Sequence, residues 1–345
     1  MKRFNYEKTY NELIDASVMD LVAGIHELKG KQGMYANASP GALASLEEVA
    51  RIHSTQSSNN IEGIVTTEER LRKLVQKKAR PKTSAEEEIA GYREVLGLIH
   101  DNYDNIELSH SSILQLHKIL YKYSSSSFAG KIKTSDNIIA DVAQDGTKTV
   151  RFKPLGAAQA PQAIRDICEG FNGSLNAGMD PLVLIPIFIL DFLCIHPFQD
   201  GNGRMSRLLT LLLLYKSGYD VGKFISIERQ IDTHRNLYYE TLGMYSQNWI
   251  ANKNDYGPFV RYSLSMLIGA YKILDGRASA FGASKPERIA SYIKDNLGKV
   301  KKTEIMDACP DISQTTVQRS LKDLVAAKKI KKIGGGRYTY YMWKL

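Results

Sequence analysis

The feature that most restricts the fold is the stretch 182–195, Leu-Val-Leu-Ile-Pro-Ile-Phe-Ile-Leu-Asp-Phe-Leu-Cys-Ile. It is too apolar to lie on a surface and too short to cross a bilayer, and it contains Pro186 and Asp191. It reads as a helix buried on every side, around which other helices must pack. That helix ends at His196-Pro197, and a second helix begins near Asn202 and continues through Leu214. Between them lies Gly201-Asn202-Gly203, whose small residues let backbone N–H groups approach a ligand closely. Those N–H groups open a helix N-terminus, a ready anion site.

Further residues of this loop add chemistry. Arg204 and Arg207 are three apart, so both are expected to project from one helix face towards the same site. Asp200 beside a phosphate site suits Mg²⁺, which takes one carboxylate plus phosphate oxygens and waters. His196 can accept a proton near neutral pH, as the base for a hydroxyl nucleophile must. Singly these are weak: one histidine after an apolar helix is ordinarily a cap, and Gly-Asn-Gly is ordinarily a turn. Together they describe phosphoryl or nucleotidyl transfer. About nine specified positions at ~1/20 each put a chance match on the order of 10⁻¹¹ per start.

The remainder reads mainly helical. Ser39-Pro40 supplies a cap and first-turn proline for a helix carrying Leu43, Leu46, Val49 and Ile52 and stopping near Gly63. Amphipathic segments follow at 67–77, 85–103 and 110–121, with 80–84 a loop and 124–127 a short serine loop. At 138–152 the period changes: β-prone runs flank Asp145-Gly146, a hairpin signal. Helical patterning resumes near Pro161 and continues to about Leu274, and 276–284, rich in Gly, Ser and Ala, reads as a linker.

The last segment is a separate unit. Of a net charge of +9, the residues from Lys285 onward carry 14 Lys+Arg against 6 Asp+Glu, or +8, so the basic excess sits in the tail and points to an anionic partner. Helices at 287–296, 302–307 and 313–327, then a hairpin tipped by Gly334-Gly335-Gly336, have the order of a winged helix-turn-helix. Ser313 caps the third, Gln314, Thr315, Gln318 and Arg319 would face a groove, and Lys332 and Arg337 would touch phosphates. Such units bind either DNA or protein, and 338–343 reads largely as core strand. Cys168, Cys194 and Cys309 are too widely spaced for a disulfide framework or metal cluster. With no apolar leader at the start, the expectation is a soluble cytoplasmic protein without a membrane partner. The expected divisions are 1–105, 106–275 and 285–345.

The segment 196–207 resembles the signature of the Fic family, His-Pro-Phe-x-(Asp/Glu)-Gly-Asn-Gly-Arg-x-x-Arg, without departure. The resemblance implies a helical Fic core with a β-hairpin flap and transfer of AMP from ATP to Ser, Thr or Tyr hydroxyls of proteins, the chain itself included. By matching position, His196 would be the base and Asp200 the ligand for Mg²⁺ (or Mn²⁺). Gly201, Asn202 and Gly203 would form the anion hole, Arg204 would contact phosphates and Arg207 the terminal one, with Phe198 anchoring the loop in the core. The hairpin at Asp145-Gly146, followed by Phe152-Lys153-Pro154, is similar to the family's flap, which aligns the target segment by strand addition. Asn236, Tyr238 and Tyr239 resemble the stretch lining the adenine pocket.

Ser58-Asn59-Asn60-Ile61-Glu62-Gly63 resembles the family's inhibitory motif, (Ser/Thr)-x-x-x-Glu-(Gly/Asn). It implies that Glu62 forms a bidentate pair with Arg207, occupying the arginine needed for the γ-phosphate. Glu62 also falls at a helix C-terminus, where the macrodipole disfavours an anion. The competing readings are a DNA-binding regulator with a nucleotide-sensing Fic module and an enzyme that removes AMP. The expected partners are ATP, a target protein, the chain itself, DNA or a protein at the tail, and a second copy of the chain.

Overall fold

The computed structural model describes residues 2–38, 40–142, 148–279, 283–296 and 299–344. Ser39, Asp145-Gly146 and the centre of the expected linker (280–282) lie outside the described residues.

Two helices precede the first expected one: α1 (Tyr6–Leu13), capped by Asn5, and α2 (Ala16–Ala38). Helix α3 (Pro40–Ile61) buries Leu43, Leu46 and Ile52. It ends in a turn where the N–H groups of Glu62 and Gly63 donate to Asn59 O and Asn60 O at 3.0 and 2.9 Å. Helices α4 (Glu68–Val75), α5 (Ser84–Asn102) and α6 (His110–Leu120) start at Thr67, Thr83 and Ser109, whose hydroxyls accept first-turn N–H groups.

Strands β1 (Ile139–Val142) and β2 (Lys148–Phe152) form an antiparallel hairpin in which Ala140 faces Val150, with an irregularity between Ile139 and Ala140. Then come α7 (Ala160–Asn176), α8 (Pro181–Ile195), α9 (Asn202–Lys216), α10 (Ile227–Thr233), α11 (Arg235–Tyr245) and α12 (Gly257–Ser279). Helix α12 runs alongside α2, and its length corrects the linker: 276–279 are helical because packing there overrides their weak propensity.

Helix α8 is the centre of the core. From Leu182 to Ile195 only Leu193 is not buried, and α7, α9 and α12 pack against it. Each fully covered Leu, Ile or Phe contributes roughly 1.5–3 kcal/mol, so this helix alone is a large part of the driving force. Its one charge, Asp191, is 1% exposed and accepts hydrogen bonds from Trp249 Nε1 (2.7 Å) and Tyr256 OH (2.5 Å). Burial raises its pKa despite nearby Lys2.

The C-terminal unit comprises α13 (Lys285–Asp295), β3 (Val300–Lys301), α14 (Lys302–Ala308), α15 (Gln314–Ala326), β4 (Ile330–Ile333) and β5 (Tyr340–Trp343). Its antiparallel sheet has the order β3-β5-β4, and Ile289, Ile293, Ile305, Val317 and Leu321 form a core of its own. The three helices and the glycine-tipped hairpin occur in the expected order. Two-residue β3 was not expected, and Tyr338, assigned to a core strand, lies in a short turn and is 64% exposed. Among the described residues no helix is long and apolar enough to cross a membrane.

Candidate active site

Helix α8 terminates at His196, whose backbone is left-handed (φ 51°, ψ 61°) and whose N–H still reaches Phe192 O at 2.9 Å. A non-glycine residue pays roughly 1–2 kcal/mol for that conformation, so the surroundings must fix it. Nδ1 lies 3.3 Å from Leu193 O. A carbonyl only accepts, so Nδ1 carries the hydrogen and Nε2 presents its lone pair. Burial, reinforced by Lys133, lowers the imidazole to about 4, leaving it neutral with the Nε2 lone pair unprotonated at pH 7.

Several side chains weld the loop that follows. The Asn202 side chain accepts from Phe198 N and donates to Phe198 O, both at 2.9 Å. The Asn202 side chain is thus spent on the loop itself, and its backbone N–H is the group it offers an anion, in line with the expected cradle. Phe198 is fully buried, as expected of an anchor, and stacks on His117 with centroids 3.7 Å apart and planes 1° from parallel. His117 Nε2 donates to Asp200 O at 3.0 Å, while Nδ1 accepts from Gly130 N at 2.9 Å. Burial lowers His117 to about 4, keeping that acceptor free of a proton. Lys133 donates from its backbone to Pro197 O (2.8 Å) and from Nζ to Ile195 O (3.2 Å).

Asp200 is oriented on both oxygens. Tyr121 OH donates to Oδ2 at 2.7 Å and Gly201 N to Oδ1 at 2.6 Å. The side chain is nevertheless 61% exposed, and each oxygen retains an unused lone pair, so the group fits a hard divalent cation that keeps waters and phosphate oxygens as its other ligands. Gly201 has φ 82°, and a Cβ there would sit 3.0 Å from the Tyr121 ring.

The two arginines take different partners, although Arg204 Nη2 stays 3.6 Å from Asp200 Oδ2. Three residues turn a helix through about 300°, leaving the side chains about 60° apart. Arg204, 1% exposed, points to α5 and α6: Nη1 is 2.7 Å from Glu88 and Nη2 donates to Tyr121 OH at 2.8 Å. Arg207, 3% exposed, points to α3. Its Nε donates to Ser58 Oγ (2.8 Å), and Nη2 to Ser58 O (2.9 Å) and Glu62 Oε1 (2.7 Å). The pair with Glu62 is therefore one hydrogen bond through one oxygen, and the expected bidentate fork is not formed: Nε and Nη2 also serve Ser58, and Nη1 makes no hydrogen bond among the described residues. Glu62 lies directly over the first turn of α9: a Cβ on Gly203 would meet Glu62 Oε1 at 2.2 Å. Only glycine at 203 leaves room for a carboxylate at this helix N-terminus.

A cleft of about 1300 Å³ joins these groups, lined by Glu62, His196, Gly203, Arg207, Tyr238 and Tyr239 together with Ile138, Ile139 and Phe152 of the hairpin. Tyr239 OH also donates to Ile61 O at 3.2 Å, tying α11 to the turn that carries Glu62. Asn236 is exposed and lines a neighbouring groove that shares Tyr239 and Gly243, so it is not brought into the His196 cleft. Sequence reasoning missed Glu88, His117, Tyr121 and Lys133. His117 and Tyr121 stand four apart on an amphipathic helix and look like packing; their partners lie some 80 residues away.

A neutral histidine, an oriented carboxylate and a glycine-lined helix N-terminus stand on adjoining ends of two buried helices, an arrangement suited to an anionic ligand. Residues 107–214 match the model of the Fic/DOC family. It is 29% identical over 186 residues to protein adenylyltransferase fic-1 of Caenorhabditis elegans (52% of this chain, 32% of the relative). It is 30% identical over 219 residues to protein adenylyltransferase Fic of Nematostella vectensis (59% of this chain, 44% of the relative). The chain spans about a third of the length of the first of these relatives. In fold it is similar to a Fic family protein of Desulfovibrio desulfuricans (TM-score 0.63, 21% identity, 96% of this chain and 97% of that one). A Fic domain-containing signalling protein of Bacteroides thetaiotaomicron is also similar (TM-score 0.58, 20% identity, 77% and 97%).

Proposed function

We propose that this chain is a protein adenylyltransferase, held in check by Glu62, that transfers AMP from ATP to Ser, Thr or Tyr hydroxyls of a target protein and of itself. The observation that carries this reading is the placement of the Glu62 carboxylate over Gly203 and on Arg207, beside a neutral His196. A carboxylate held there occupies the ground that a phosphate group would take at this helix N-terminus.

In the active state the target hydroxyl gives its proton to His196 Nε2 as its oxygen attacks the α-phosphorus. The new bond is oxygen to α-phosphorus, the bond broken joins the α-phosphorus to the bridging oxygen, and pyrophosphate leaves. The N–H groups of Asn202 and Gly203 and the guanidinium of Arg207 stabilise the phosphates, while the Gly201 N–H stays on Asp200; Arg204, committed to Glu88 and Tyr121, chiefly braces the loop. Asp200 would hold Mg²⁺ (or Mn²⁺), which neutralises phosphate charge when bound. Tyr238 and Tyr239 suit a purine, and an outer edge of the two-stranded β1–β2 sheet suits strand addition by a target segment.

The divisions 1–105, 106–275 and 285–345 fit this reading. The C-terminal unit is proposed to be a winged helix, supported by its element order and basic charge, and to engage DNA or another polyanion through Arg319, Lys322 and Lys332.

Intact-mass measurement after incubation with ATP and Mg²⁺ tests the reaction. Glu62→Gly gains the mass of AMP; the native chain gains little, and Glu62→Gly/His196→Ala gains none. A folded Glu62→Gly protein that acquires no AMP, alone or on added target proteins, overturns the assignment.

A further inference from the structure

Helix α3 is gripped on two faces. Towards its C-terminal end, Ser58 and Glu62 are bound by Arg207 of α9. Nine residues before Glu62 stands His53, only 8% exposed. Nine residues turn a helix through about two and a half revolutions, so His53 looks out on the opposite side, roughly 13 Å further back along the axis.

What it meets there is the C-terminal unit. His53 Nε2 is 3.1 Å from Asp307 Oδ2 on α14, and Arg229 Nη1 of α10 is 2.8 Å from His53 Nδ1. Arg229 Nη1 and Arg72 Nη2 of α4 each lie 3.6 Å from the Asp307 carboxylate. Arg277 of α12 also adds positive charge to this cluster. The catalytic portion thus supplies three guanidinium groups and an imidazole, and the C-terminal unit supplies the carboxylate that compensates them. Asp307 is 17% exposed on its side chain, so the attraction is less screened than in a surface pair.

We infer that the Asp307–His53–Arg229 cluster is a latch through which the seating of the C-terminal unit sets how firmly Glu62 is held over Gly203. This deepens the reading of Glu62 as a brake and rests on it. An unbroken helix is stiff, so a shift of α3 at His53 is felt at Ser58 and Glu62 two turns on. Arg229 belongs to α10, which runs into α11, where Tyr239 holds Ile61 O. The seam therefore touches the brake turn by two routes. Any ligand that draws the C-terminal unit off α3 weakens the brake, and by linkage any ligand that displaces Glu62 loosens the C-terminal unit by the same factor.

The test compares Asp307→Asn, which keeps the side-chain shape, with Arg229→Gln, which breaks the seam without touching the C-terminal unit. Each is made in the native chain and in Glu62→Gly. The readouts are AMP incorporation by intact mass and deuterium exchange at the end of α3. Both substitutions in the native chain raise incorporation roughly threefold to tenfold and speed exchange around Ser58 to Gly63, and neither adds anything in Glu62→Gly. Unchanged incorporation and exchange in the native chain overturn the latch, and so does an equal gain in Glu62→Gly. If Glu62→Gly itself incorporates no AMP, the transferase reading fails and exchange alone decides: acceleration upholds the latch, and its absence overturns it.

Discussion

Helix α8 ends at His196 and helix α3 ends at Glu62, and both ends open on the same cleft, yet they are held there differently. The turn after α8 is fixed by the Asn202 side chain, a buried Phe198 stacked on His117, two bonds from Lys133 and the Tyr121–Asp200 pair. Most of these partners are buried, and loss of any one strands a polar group. The turn after α3 is held over the cradle by donors of Arg207 and the Tyr239 hydroxyl. The contrast is one of exposure: the anchors of the His196 turn are buried, whereas the Glu62 side chain is partly open to solvent although Ser58, Asn59 and Ile61 before it are buried.

Substitutions can break that contrast, beginning with the most severe. His196→Ala in Glu62→Gly lowers the rate of AMP incorporation by about 10²–10⁴, the usual range for loss of a general base, while leaving the thermal midpoint close to that of the parent. Removing the obstruction works in the other direction. Glu62→Gly deletes a charge-assisted bond of about 2 kcal/mol and frees the phosphate ground, so incorporation rises about thirtyfold or more by the same mass assay. Tyr121→Phe removes the hydrogen bond that orients Asp200 and leaves Arg204 short of an acceptor. It raises the Mg²⁺ concentration for half-maximal rate about tenfold, and isothermal titration with Mg²⁺ and a non-hydrolysable ATP analogue shows the same weakening.

The smallest effect is a displacement on the pH axis. An imidazole lowered from 6.5 to about 4 by burial stays deprotonated throughout the neutral range. The acid limb of kcat/KM in Glu62→Gly therefore falls well below pH 6.5, towards 4, where an exposed histidine would lose activity from 6.5 downward. His117, also lowered to about 4, adds a stability consequence of the same sign. The unfolded chain takes up protons at about 6.5 and the folded one does not, so stability is full above that pH and declines as pH falls towards 4. Chemical denaturation at pH 7 and pH 5 shows the decline.

Much of this was legible in the chain. The apolar run 182–195 identified the central helix, and the loop residues stood out as a candidate site because chemistry and spacing coincide within twelve positions. The contact of Glu62 with Arg207 was legible through the resemblance of 58–63 to a family motif, and the structure contains that contact. What escaped was non-local. Whether Arg207 meets Glu62 with one bond or two depends on how α3 is seated against α9, and the partner of Arg204 is Glu88 from another helix. Helices α1 and α2 went unread because charged and small residues blur their periodicity, and their place is decided by α7, α8 and α12. Gly276 looked like the start of a linker because local propensity was the only guide there.

The most direct measurement follows the two ends of ATP separately, with Glu62→Gly incubated with Mg²⁺ and ATP labelled at either the α- or the γ-phosphate. Label from the α-position stays on the protein, label from the γ-position leaves with pyrophosphate, and Glu62→Gly/His196→Ala retains neither. Retention of the γ-label, or α-label that persists without His196, contradicts the account.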